Sequence, residues 1–108
     1  MNHSMKLLEK PFNNIKNGTK TIEFRLYDEK RKQIQIGDTI EFSKLPKQTE
    51  KIKVKVVDLY PAKTFKELFE KLELSSEEID KKVQGMYTIY SPEKEAEYGV
   101  LGIKIELI

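Results

Sequence analysis

The densest group of reactive side chains in this sequence is the run Gly18-Thr19-Lys20-Thr21-Ile22-Glu23-Phe24-Arg25. If the segment is extended, alternation puts Thr21, Glu23 and Arg25 on one face, with Glu23 and Arg25 about 7 Å apart and Lys20 at the head of the strand. An acid flanked by two bases can order a guanidinium for phosphate or carbonyl recognition. Lys20 and Glu23 could equally form a proton relay if both are desolvated. A third reading is a surface ion-pair ladder of little energetic consequence. The spacing alone leaves all three open.

Two further groups bear on ligand chemistry. Tyr27, Tyr60, Tyr87, Tyr90 and Tyr98 fall at the expected ends of elements, where a ring either stacks on a single-stranded base or seals the rim of a core. The run Lys30-Arg31-Lys32 and the alternating Lys51, Lys53 and Lys55 either contact phosphates or form a solvated face. On an edge strand, such lysines would also discourage sheet-to-sheet pairing.

Missing residue types narrow the chemistry. The chain has no cysteine and one histidine, which removes disulfides, thiolate zinc sites, a cysteine nucleophile and a serine–histidine–carboxylate triad. The histidine, His3, lies in a stretch, Met1 to Ser4, that reads as an untethered tail. No phosphate-binding glycine loop, dinucleotide fingerprint or calcium-loop spacing appears. No cofactor and no metal are therefore expected, and any proton handling falls to Lys, Glu, Asp, Tyr or water.

The elements that must position these groups follow from periodicity. Met5 to Leu8 suits a short first strand. Pro11 suits the opening turn of a helix with Phe12 and Ile15 on one face and Gly18 as its stop. From Lys20 to Tyr27 a strand points Ile22, Phe24 and Leu26 inward. Asp28 to Gln35 reads as a charged turn or short helix, and Ile36-Gly37-Asp38 turns the chain into a strand from Thr39 to Ser43. Ile52, Val54 and Val56 alternate with the three lysines. Thr64 with Glu67 and Ser75 with Glu78 are capping boxes; the first opens a helix with the stripe Phe65, Leu68, Phe69 and Leu72. The second opens one carrying Ile79, Val83, Met86, Tyr87 and Tyr90, and Pro92 is expected to end it. A closing strand from Tyr98 points Leu101, Ile103, Ile105 and Leu107 one way. Strands and helices mixed in this order indicate an α+β domain with a curled sheet or small barrel.

Charge is uneven along the chain. Residues 1–63 hold 14 Lys and Arg against 8 Asp and Glu, and residues 64–108 hold 6 against 10. Such an asymmetry can give one face a positive field. No membrane-length apolar run or signal-peptide core appears, so no membrane partner is expected and the default compartment is cytoplasmic. Residues 1–4 read as a disordered tail or a leftover of expression, and residues 5–108 as a single domain.

The ordered motifs resemble a known family. Gly18-x-Lys20-x-x-Glu23-x-Arg25 resembles the signature of the ASCH (activating signal cointegrator homology) family. Gly37-Asp38 before a strand resembles that family's G-D turn. Met86-Tyr87 followed by Tyr98-Gly99-Val100-Leu101-Gly102-Ile103 resembles the ending of its small stand-alone prokaryotic members. The match runs from about Met5 to Ile108. The resemblance implies a PUA-like fold, a small β-barrel of about five strands with two to three helices packed beside it. It also implies a basic cleft at the barrel mouth that takes RNA or a nucleoside or nucleotide ligand. Lys20 and Arg25 would meet phosphate or base edges there, Glu23 would orient them, and Thr21, Tyr27, Tyr60 and Tyr87 would complete the ligand-binding set.

One branch of that family is enzymatic and removes the acetyl group of N4-acetylcytidine. Its strand-opening lysine corresponds to Lys20, but Glu23 stands where its threonine is expected, and Thr21 is displaced by two residues. Glu70 and Glu73 are the candidates for that branch's helical glutamate. In an amidohydrolase reading, Lys20 and Glu23 are the catalytic candidates, with Lys20 activating water and Glu23 as base. A protein-interaction module is a third reading. The sequence leaves open whether the chain is an enzyme, which RNA or nucleoside it takes, and its oligomeric state.

Overall fold

The computed structural model describes residues 1–108. The elements follow in the order β1 (Asn2–Leu7), α1 (Glu9–Lys16), β2 (Ile22–Leu26), α2 (Glu29–Lys32), β3 (Thr39–Lys44), β4 (Lys51–Ala62), α3 (Phe65–Lys71), α4 (Ser76–Met86), α5 (Pro92–Tyr98) and β5 (Val100–Leu107). The strands form one sheet in the order β1-β3-β4-β5-β2. β1 runs parallel to β3, and β3 antiparallel to β4. The α+β class and the strand number agree with expectation. The chain divides into two compact units, one of residues 1–23, 34–59 and 103–108, the other of residues 24–33 and 60–102.

In the first unit, α1 buries Phe12 and Ile15, the two apolar positions three apart that the sequence marks. Met5, Leu7, Ile40, Phe42, Val54, Val56, Ile103 and Ile105 are buried from the strands. Gly18 ends the helical segment at φ +83°, a left-handed conformation open to glycine without penalty. Its amide donates to the Ile15 carbonyl, and the Lys20 amide donates to the Asn14 carbonyl at 2.9 Å. This turn fixes where β2 begins.

The first strand starts at Asn2, not Met5, and His3 is buried. Alternation along β1 turns His3, Met5 and Leu7 inward. The His3 imidazole finds a buried partner, with Nε2 2.8 Å from Asp38 Oδ2. The Asp38 carboxylate also accepts from the Gln35 amide at 3.0 Å and from the N-terminal ammonium at 3.1 Å. A buried polar ring without such a partner would oppose folding. The His3 contact, followed by the Gln35 amide, holds the Asp38 carboxyl down to about 2.

The second unit is built from locally capped helices. Asp28 accepts from the Arg31 amide at the start of α2, and Thr64 from the Glu67 amide at the start of α3. Ser75 Oγ accepts from the Glu78 amide and donates to the Glu78 carboxylate, so Ser75 caps α4 as expected, with Glu78 meeting the cap hydroxyl. Pro92, expected to terminate a helix, instead opens α5: Ser91 caps it and Pro92 sits in its first turn. A proline is tolerated there because the first helical amides have no intrahelical acceptor. With this helix and the single turn of α2, five helices replace the two to three expected.

Leu26, Phe65, Leu68, Phe69, Ile79 and Val100 form the second unit's core. Phe24 meets Phe69 edge-on, ring centroids 5.0 Å apart, and Phe65 stacks on Tyr90 at 5.9 Å. Gly99 has φ +74°, and a Cβ there would stand 3.0 Å from the Ala62 carbonyl oxygen. Both strain and contact favour glycine at this position.

Candidate functional site

Lys20, Thr21 and Glu23 belong to the first unit. The Thr21 side chain is exposed, while its carbonyl accepts from the Ile105 amide at 2.9 Å. Glu23 is only 4% exposed, although alternation alone placed it on a half-exposed face. Its Oε1 lies 2.9 Å from Lys20 Nζ, and the Lys20 side chain keeps 26% of its surface exposed. A carboxylate taken out of water needs such a partner, since isolated burial of the charge is costly. The pair therefore joins a partly exposed lysine side chain to a largely desolvated carboxylate. This is not the solvent-screened ladder of the blandest reading.

Arg25, Tyr27, Tyr60 and Tyr87 belong to the second unit. Arg25 and Tyr27 are half-buried, and the Tyr27 amide donates to the Gly99 carbonyl at 3.0 Å. Lys32 Nζ lies 5.9 Å from the centre of the Tyr27 ring, within cation–π range. Tyr60 packs against the core of its unit. Tyr87 is 41% exposed, yet its hydroxyl donates to Glu95 Oε1 at 2.7 Å. That bond to an anion, reinforced by burial, pushes the phenol's pKa up.

Glu95 escaped the sequence reading. It is buried, and its second oxygen accepts from the Phe65 amide at 2.9 Å, the first residue of α3. Glu70 and Glu73, the helical acids the sequence singled out, are both exposed. The signal that could have found Glu95 is Ser91-Pro92-Glu93, an N-cap followed by a first-turn proline. With α5 in place, Glu95 lies on a short helix of which it is the one buried residue, instead of in a loop. The basic run Lys30-Arg31-Lys32 is largely answered within its own turn. Arg31 reaches Asp28 at 2.9 Å and Lys32 reaches Glu29 at 3.4 Å.

The order and pairing of the strands, with helices inserted between them, define a PUA-like α+β protein. The model of the ASCH domain matches residues 5–108, so the chain belongs to the ASCH family. The chain is 39% identical to hypothetical protein PH0355, whose crystal structure it matches over the full length of both chains with a TM-score of 0.84. It is also 39% identical to protein PF0455 from Pyrococcus furiosus, known from a solution NMR structure. That match covers 100% of this chain and 98% of that one, with a TM-score of 0.74. Comparison with curated proteins gives no match. The ASCH fold is generally of RNA-binding type. No helix of the chain is long and apolar enough to cross a membrane.

Proposed function

We propose that this ASCH protein binds RNA or a nucleotide through the Lys20–Glu23 pair. The observation that carries the reading is Glu23, 4% exposed, with its carboxylate 2.9 Å from the Nζ of a lysine whose side chain stays partly exposed. The buried carboxylate holds the lysine in place just ahead of β2. Its ammonium suits a phosphate or base-carbonyl oxygen. Glu23 also limits the directions Lys20 can take, which lowers the ordering cost of binding. Fluorescence anisotropy with short single-stranded RNA tests the reading. Lys20→Ala, compared with wild type at a temperature where thermal denaturation shows both folded, should weaken binding, and Lys20→Arg, which keeps a cation beside Glu23, should restore part of it. Unchanged affinity in Lys20→Ala would sink the assignment.

The depth of Glu23 also favours a second, catalytic reading. A desolvated carboxylate beside a lysine can take a proton from water as the water oxygen bonds to the acetyl carbonyl carbon, then return that proton to the nucleoside nitrogen as the C–N bond breaks, so that the free amine leaves and acetate is released. Incubation with N4-acetylcytidine separates the two: Lys20-dependent appearance of cytidine makes the pair catalytic, and its absence leaves recognition alone.

A further inference from the structure

We propose that the outer sheet face of the first unit is a second RNA contact, one that holds the phosphate backbone independently of Lys20 and Glu23. Lys51, Lys53 and Lys55 are all exposed along β4, while Val54 and Val56 between and beyond them are buried. Strand geometry spaces these ammonium stems at about 7 Å intervals along a straight row.

The protective role open to edge-strand lysines does not apply, because β4 is the central strand of the sheet, flanked by β3 and β5. On the β3 flank a single carboxylate, Glu41, answers the row. Across β3, Lys53 faces Glu41, which also lies 3.6 Å from Lys51, but Lys55 faces Thr39 and Lys51 faces Ser43. One strand further out, Lys6 is in register with Ser43 and is exposed on the same face. On the other flank, β5 exposes Lys104 and Glu106. The face thus gathers five lysines against two carboxylates.

Its composition selects the kind of partner. Hydroxyl side chains, Ser4, Thr39 and Ser43, lie between the charges, and these strands place no aromatic ring among them. Base stacking, the usual source of affinity for unpaired bases, has no platform here. What remains is a positively charged surface with polar donors, which fits the repeating phosphates of an RNA strand without regard to sequence.

The test is the salt dependence of binding to a short oligouridine RNA. Each neutralised phosphate contributes about 0.7 to the slope of log K against log salt for a single strand, so K51Q/K53Q/K55Q should lower that slope by about 2. Lys53→Gln alone should lower it by about 0.7, which keeps the test sound if the triple variant folds poorly. Thermal denaturation reports the fold of each. A triple variant that folds and keeps the wild-type slope overturns the proposal, as does a wild-type protein that does not bind the RNA. Lys20→Ala distinguishes the two sites. If it abolishes binding while the triple variant matches wild type, only the sheet-face proposal fails. If the triple variant alone loses slope and Lys20→Ala is silent, the sheet face stands and the Lys20–Glu23 reading fails.

Discussion

Removing the Glu95 carboxylate should destabilise the protein, and the structure says by what route. One oxygen accepts from the Phe65 amide at 2.9 Å and the other from the Tyr87 hydroxyl at 2.7 Å, with Glu95 itself 5% exposed. Hydrogen bonds to a charged group contribute roughly 1.5–3 kcal/mol each, and a stranded buried amide adds its own desolvation cost. Tyr87 is half-exposed, so water replaces its lost acceptor and its share lies at or below the lower end of that range. Glu95→Ala should therefore cost about 3 kcal/mol and Tyr87→Phe about 1 kcal/mol. Urea denaturation of the two variants and of the double variant provides the assay. Because both changes remove the same bond, Tyr87→Phe should cost almost nothing once Glu95 is gone, a coupling of about 1 kcal/mol. Additive losses would show that Tyr87 is held by packing alone and would refute the reasoning.

The other expectations concern packing and pH. Phe69→Ala should cost roughly 3–5 kcal/mol, because the ring is fully buried and contacts both Phe24 and Phe65. Phe24→Ala should cost about half as much, since that ring is only partly buried; equal losses by chemical denaturation would show that β2 is covered more deeply than described. The Asp38 carboxyl sits at about 2 in the folded chain against an ordinary 3.8. A folded value below the unfolded one means its stabilising contribution is complete above pH ~4 and disappears as the pH falls toward 2. Melting temperature measured from pH 6 to 2 should fall less steeply for Asp38→Asn than for wild type; parallel curves would contradict this.

What was legible in the sequence was local. Thr64 with Glu67 and Ser75 with Glu78 announce helix starts because cap and partner are three residues apart, and the bonds form as read. Phe12 with Ile15 fixes the buried face of α1 for the same reason. Non-local partners were not legible. His3 reads as part of a loose tail until Asp38, 35 residues later, supplies its acceptor. In β2, alternation distinguishes the two faces but not what covers each. Glu23, whose burial the spacing left open, is buried on the face opposite Phe24, and Phe24 is only half-buried where a core position is expected. Pro92 is ambiguous by itself because the same residue that ends one helix can open the next, and the serine before it decides which. Family membership was legible because the Gly18-to-Arg25 signature, the Gly37-Asp38 turn and the ending Tyr98-Gly99-Val100-Leu101-Gly102-Ile103 occur in order at matching separations along the chain.

The most direct test of the central claim is the affinity of wild type and Lys20→Ala for single-stranded RNA, measured side by side on proteins shown to be folded. A charge-assisted contact of about 1.5–3 kcal/mol corresponds to a loss of roughly 10- to 150-fold in affinity, and this is the result expected. An equal dissociation constant for the two proteins would contradict the claim that the Lys20–Glu23 pair is where this ASCH domain meets its ligand.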